Sequence, residues 1–100
     1  MNKPFYSDYV RHALRFYSRY CAIMPYFKSD ADKQNWIACN KAIQEYSERD
    51  KDILVAVYGG YDTLADNVYE SANKHRINQN IIWDMMKEFE RKVAKKRGLL

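Results

Sequence analysis

The stretch that decides how this chain reads is Glu70-Ser71-Ala72-Asn73-Lys74-His75-Arg76-Ile77-Asn78-Gln79-Asn80-Ile81-Ile82-Trp83-Asp84-Met85-Met86. Leu64, Ala65, Val68 and Ala72 recur at steps that stack them on one side of a helix starting near Leu64. The helical pattern lapses between His75 and Ile77. Asn78 can then cap a new helix, in which Ile82, Met85, Met86, Phe89 and Val93 form an apolar stripe that ends at Gly98. Two helices that meet at a tight corner need a small residue at the crossing, an apolar residue in the turn, and two apolar residues on the inner side of the second helix. Ala72, Ile77, Ile82 and Met85 meet those needs at separations of five, five and three residues. That is the spacing of a helix-turn-helix, and it predicts Gln79, Asn80, Trp83, Lys87 and Arg91 on the outward face of the second helix.

Upstream, Ser47-Glu48-Arg49-Asp50 places a cap and two acidic groups before the apolar run Ile53 to Tyr58, and Gly59-Gly60 ends that short helix. Ser29-Asp30-Ala31-Asp32 repeats the capping logic for a helix reaching about Tyr46, with Trp36, Ile37, Cys39, Asn40, Ile43 and Tyr46 inward. A first helix can open at Pro4 and close at Met24-Pro25, burying Tyr6, Tyr9, Val10, Ala13, Tyr17, Tyr20, Cys21 and Met24. Arg11, Arg15 and Arg19 line its other side, where they suit phosphates, an acidic partner or plain solvent. The fold expected is all-α: a single five-helix domain over residues 1–100, with two N-terminal helices in 1–46 and a helix-turn-helix unit in 47–97.

Composition agrees with this plan. One hundred residues make one domain, and only three Gly and two Pro leave little turn material for a many-stranded fold. The net charge of +4 is unevenly spread: both ends are basic and the middle is acidic. Such a layout suits phosphate-facing patches, or simply a solvated surface.

No long apolar run marks a secretion signal or a membrane span, which places the protein in the cytoplasm with no membrane partner. Cys21 and Cys39 then act as small apolar groups rather than a disulfide. His12 and His75 stand in no metal-ligand spacing, and there is no phosphate-binding glycine loop, nucleophile elbow or paired carboxylate set. The chain is expected to be no enzyme and to need no cofactor or metal.

From Tyr46 to about Val93, three segments carry a family likeness. Ser47-Glu-Arg-Asp-Lys-Asp-Ile-Leu54 is followed by Val57-Tyr58, then by Glu70-Ser-Ala72, and then by Ile77-Asn-Gln-Asn-Ile-Ile82. Together they resemble the region-four domain of bacterial sigma factors and the small phage or mobile-element transcriptional regulators of the ArpU type. Asn78 stands at the family's Ser cap and Ile82 at its Val. Arg76 stands where the family usually has Gly, which predicts a longer turn or a different backbone path.

The resemblance implies a DNA-binding transcriptional regulator or sigma-like accessory factor, acting on double-stranded DNA as a dimer or beside RNA polymerase. Gln79 and Asn80 would read bases through their amides. Lys74, Arg76, Lys87 and Arg91 would hold phosphates, and Lys92, Lys95, Lys96 and Arg97 would form a mobile basic tail. Asn78 and Trp83 complete the DNA-binding set. Asp84, Glu88 and Glu90 lie on the same helix and work against phosphate contact. They favour the alternative, a non-catalytic protein–protein interaction module that keeps the same frame and uses an exposed Trp83.

Overall fold

Short polar side chains set the helix starts. In the computed structural model, which describes residues 3–21 and 23–100, Ser29, Ser47, Thr63 and Asn78 each accept a hydrogen bond from a first-turn backbone N–H, at 3.2, 3.2, 3.1 and 2.7 Å. Such caps satisfy donors that a helix leaves unpaired and are worth about 1 kcal/mol each. They open α2 (Asp30–Ile43), α3 (Glu48–Gly59), α4 (Leu64–His75) and α5 (Gln79–Lys96). The first helix, α1 (Ser7–Arg19), has no side-chain cap; the Pro4 carbonyl accepts from the Ser7 N–H at 3.0 Å instead. The described residues contain no strand, so the chain is an all-α domain.

One core joins the helices. Val10 and Leu14 of α1, Cys39 and Ala42 of α2, Ile53, Leu54 and Val57 of α3, Val68 of α4, and Ile82, Met86 and Phe89 of α5 are all buried. Helices α3, α4 and α5 pack in succession, while α1 lies against α3 and α5 and α2 lies against α1 and α5. The two N-terminal helices thus cover the rest as a second layer. The Cα radius of gyration, 13.0 Å, is that of a compact chain of this length.

Gly59 and Gly60 sit where a side chain would crowd a neighbour. A Cβ on Gly59 would stand 3.1 Å from the Ser18 side chain, and one on Gly60 would stand 2.6 Å from the Asn67 side chain. Asn67 is buried there because its Nδ2 donates to the Val57 carbonyl at 2.9 Å, tying the start of α4 to the end of α3.

Two expectations from periodicity fail at the edges. Helix α1 stops at Arg19 rather than Met24, and Tyr9, Tyr20 and Met24 are exposed. Past Ser18, which meets the end of α3, Cys21 and Phe27 are only half-buried and Ile23 is 81% exposed. Ala65 also faces solvent, beside the buried pair Asn67 and Val68. Cys39 is buried, with its thiol pushed up to about 12 by burial, whereas Cys21 is only half-buried.

Candidate nucleic-acid interface

The corner between α4 and α5 is built by one residue in an unusual backbone state. Arg76 adopts φ 56°, ψ 46°, in the left-handed region. The Ile77 N–H reaches the Ala72 carbonyl at 3.0 Å and the Arg76 N–H reaches the Asn73 carbonyl at 3.4 Å. These two bonds form a Schellman motif, the usual left-handed helix ending. The expected longer turn or altered path at Arg76 therefore does not occur: arginine takes the conformation that glycine takes more cheaply. Helix α5 ends the same way, with Gly98 at φ 82° and the Leu99 N–H on the Ala94 carbonyl at 2.8 Å.

Below the corner, Ala72 and Ile82 are buried, and Ile77 and Met85 pack half-buried against the core. Above it, Lys74, Arg76, Gln79 and Asn80 are exposed, as are Lys87 and Arg91 further along α5. Among the described residues, Lys74, Arg76, Lys87 and Arg91 form no salt bridge. Asn78 caps α5 as expected, its Oδ1 accepting from the Asn80 N–H.

Trp83 is half-buried rather than exposed. It forms one wall of a cleft of about 480 Å³ between the start of α1 and α5, together with Lys3, Tyr6, Arg11, Lys87 and Glu90. The open Trp83 expected of a protein-docking surface is therefore not observed.

The acidic residues of α5 are not equivalent. Glu90 is buried and accepts from the Tyr58 hydroxyl at 2.6 Å, the Arg11 Nε at 3.0 Å and the Ser7 hydroxyl at 3.2 Å. Glu88 accepts from Tyr46 at 3.2 Å and pairs with Lys92 at 3.0 Å. The Lys92 hydrogen bond holds the Glu88 carboxyl below its ordinary range, and Glu88 in turn raises Lys92. Only Asp84 presents a carboxylate on the outward face without a salt-bridge partner among the described residues. Two of the three carboxylates set against phosphate contact are thus already compensated.

The basic end needs a matching correction. Lys92 and Lys96 lie within α5 and both pair with Glu45 of the α2–α3 connection, at 3.4 and 3.2 Å. Arg97 donates to Asn35 Oδ1 at 2.6 Å. These residues are a tethered seam between α2 and α5 rather than a mobile tail, and Lys95 alone of the four is exposed without such a bond among the described residues.

Sequence reasoning passed over Glu90 and its donors, although the signal was present. Glu90 falls four residues after Met86 and within the stripe of Phe89 and Val93, so periodicity alone puts a carboxylate on the inner face. Comparison of the chain with protein-family models, with curated proteins and with solved structures finds no match in any of the three.

Proposed function

We propose that this chain binds double-stranded DNA through the α4–α5 corner and acts as a transcriptional regulator or sigma-like accessory factor, in a bacterium, phage or other mobile element. One observation carries the reading. The corner buries Ala72 and Ile82 and packs Ile77 half-buried against the core while leaving Gln79, Asn80, Lys87 and Arg91 outward, with the cations in no salt bridge among the described residues. Gln79 and Asn80 sit in the first turn of α5, the end that enters a major groove in this class of motif, where paired amide hydrogen bonds distinguish adenine. Lys74, Arg76, Lys87 and Arg91 supply the phosphate contacts that fix register. One recognition helix spans few base pairs, so the reading includes a dimer or RNA polymerase as partner.

The test is a fluorescence titration of the full chain against a random duplex at low salt, followed by Lys87→Glu and Arg91→Glu. Binding should weaken in both variants, with a shallower dependence on salt. Absence of binding by the unaltered chain at micromolar concentration rules the reading out.

A second reading, a protein-interaction module, draws on the α1–α2 connection. There Ile23 is 81% and Tyr26 92% exposed, with Tyr20 and Met24 beside them. Exposed apolar side chains grouped in one loop suit a protein partner. On this reading, reversal of Lys87 and Arg91 leaves partner binding unchanged, whereas Ile23→Ser with Tyr26→Ser abolishes it.

A further inference from the structure

The cleft beside Trp83 has Arg11 and Lys87 among its walls. Arg11 also walls a second hollow of about 220 Å³, completed by His12, Arg15, Tyr58 and Leu64. Arg11 thus stands in the walls of both hollows, with Lys87 and Glu90 beside it in the larger one. No carboxylate lines the smaller hollow.

Its three basic groups are differently held. Arg11 is fixed by its Nε on Glu90, itself gripped by Tyr58 and Ser7, while its terminal nitrogens enter none of the hydrogen bonds among the described residues. Arg15 stands one turn further along α1, about 6 Å on by helix geometry, and both it and His12 are exposed with no salt bridge among the described residues. Tyr58 commits its hydroxyl to Glu90 and is buried, so it contributes a neutral wall. Arg19, the third arginine of the stripe, is a clamp instead. It donates to the Gly59 and Gly60 carbonyls at 3.3 and 3.5 Å and lies over the Tyr61 ring at 4.3 Å.

We infer that Arg11, His12 and Arg15 form a phosphate notch that holds the DNA backbone on the flank of the site read by α5. The inference rests on the DNA reading and extends its surface from the corner across α1. A pre-oriented guanidinium suits a phosphate oxygen pair, because its planar fork is already fixed when the ligand arrives. Contacts of this kind position the protein and carry no sequence information.

The test is fluorescence anisotropy of the full chain with a labelled duplex at several salt concentrations, using Arg15→Gln alone and combined with His12→Gln. Both side chains are exposed, so the fold should persist, as checked by circular dichroism. Arg15→Gln should weaken binding several-fold on every sequence and make the log–log salt slope shallower by about 1. The double variant should weaken binding further. Unchanged affinity and slope in both variants, with Lys87→Gln still weakened, would overturn the notch and leave the α5 reading standing. A wild-type chain that binds no duplex overturns both.

Discussion

The Tyr58 hydroxyl donates a 2.6 Å hydrogen bond to Glu90, joining α3 to α5 across the core. Burial, and then the Glu90 charge, push the phenol well above its usual pKa, which favours the protonated form that donates this bond. Arg11 completes the group from α1, with its side chain 30% exposed against 5% for Glu90. Removing one member of a buried pair leaves the other charge uncompensated. Arg11→Ala should therefore cost roughly 3 kcal/mol in urea unfolding. Adding Glu90→Gln to Arg11→Ala should recover part of that loss, because the amide oxygen still accepts from Tyr58 without leaving a buried charge uncompensated, and a double variant as unstable as Arg11→Ala would contradict this account.

Arg76 and Gly98 occupy the same position in two copies of one backbone motif. A non-glycine residue in the left-handed region costs on the order of 1 kcal/mol. Arg76→Gly should raise stability by up to about 1 kcal/mol, visible as a higher Tm. The same change should reduce duplex affinity if the guanidinium meets phosphate, so stability and binding should move in opposite directions. Arg76→Val should lower Tm, since a β-branched side chain tolerates this backbone least.

The seam between α2 and α5 should respond to acid. The Lys96 hydrogen bond, with Lys92, lowers Glu45, and Lys92 lowers Glu88. Folded values below the ordinary 4.5 mean that the unfolded chain takes up these protons first as pH falls. Their contribution is complete above that ordinary value and is lost as pH drops through the lowered folded values. Urea midpoints measured across the acid range should fall less steeply in Glu45→Gln with Glu88→Gln than in the unaltered chain. Both carboxylates are solvent-exposed, so added salt should shrink the difference.

Trp36 packs against the rings of Tyr17 and Phe27, at centroid distances of 5.3 and 6.2 Å, and its buried Nε1 has no hydrogen-bond partner among the described residues. Its value to the fold is apolar. Trp36→Phe removes the unsatisfied donor and should change stability by less than about 1.5 kcal/mol, whereas Trp36→Ala should cost about 3–5 kcal/mol. A loss in Trp36→Phe as large as that in Trp36→Ala would show that the indole N–H is used.

Much of the fold was legible because it is written in local chemistry. Ser29, Ser47, Thr63 and Asn78 cap the helices that follow them, and the apolar stripes of α3 and α5 face inward as their spacing predicts. The break at Arg76 was legible as an interruption, but its geometry was not, because sequence does not show that a non-glycine residue will be held at positive φ. The stop at Arg19 depends on where neighbouring helices cease to cover α1. The candidate site was legible as a set of outward residues around Gln79 and Lys87. Its charge balance was not: Glu90 and Glu88 looked like surface acids, and Lys92 and Lys96 looked like free cations, until partners distant in sequence came beside them.

The close seat of Ser18 on Gly59 has a practical corollary for anyone who wishes to dissect this molecule. The N-terminal layer is keyed into the remainder, and it also delivers two of the donors that keep Glu90 satisfied. Excising the first 46 residues would bare Phe89 and strand that carboxylate, so a fragment carrying only the later helices would report collapse rather than lost recognition. Contact mapping here belongs at the scale of single side chains on the outer rim, where the architecture is indifferent to the change.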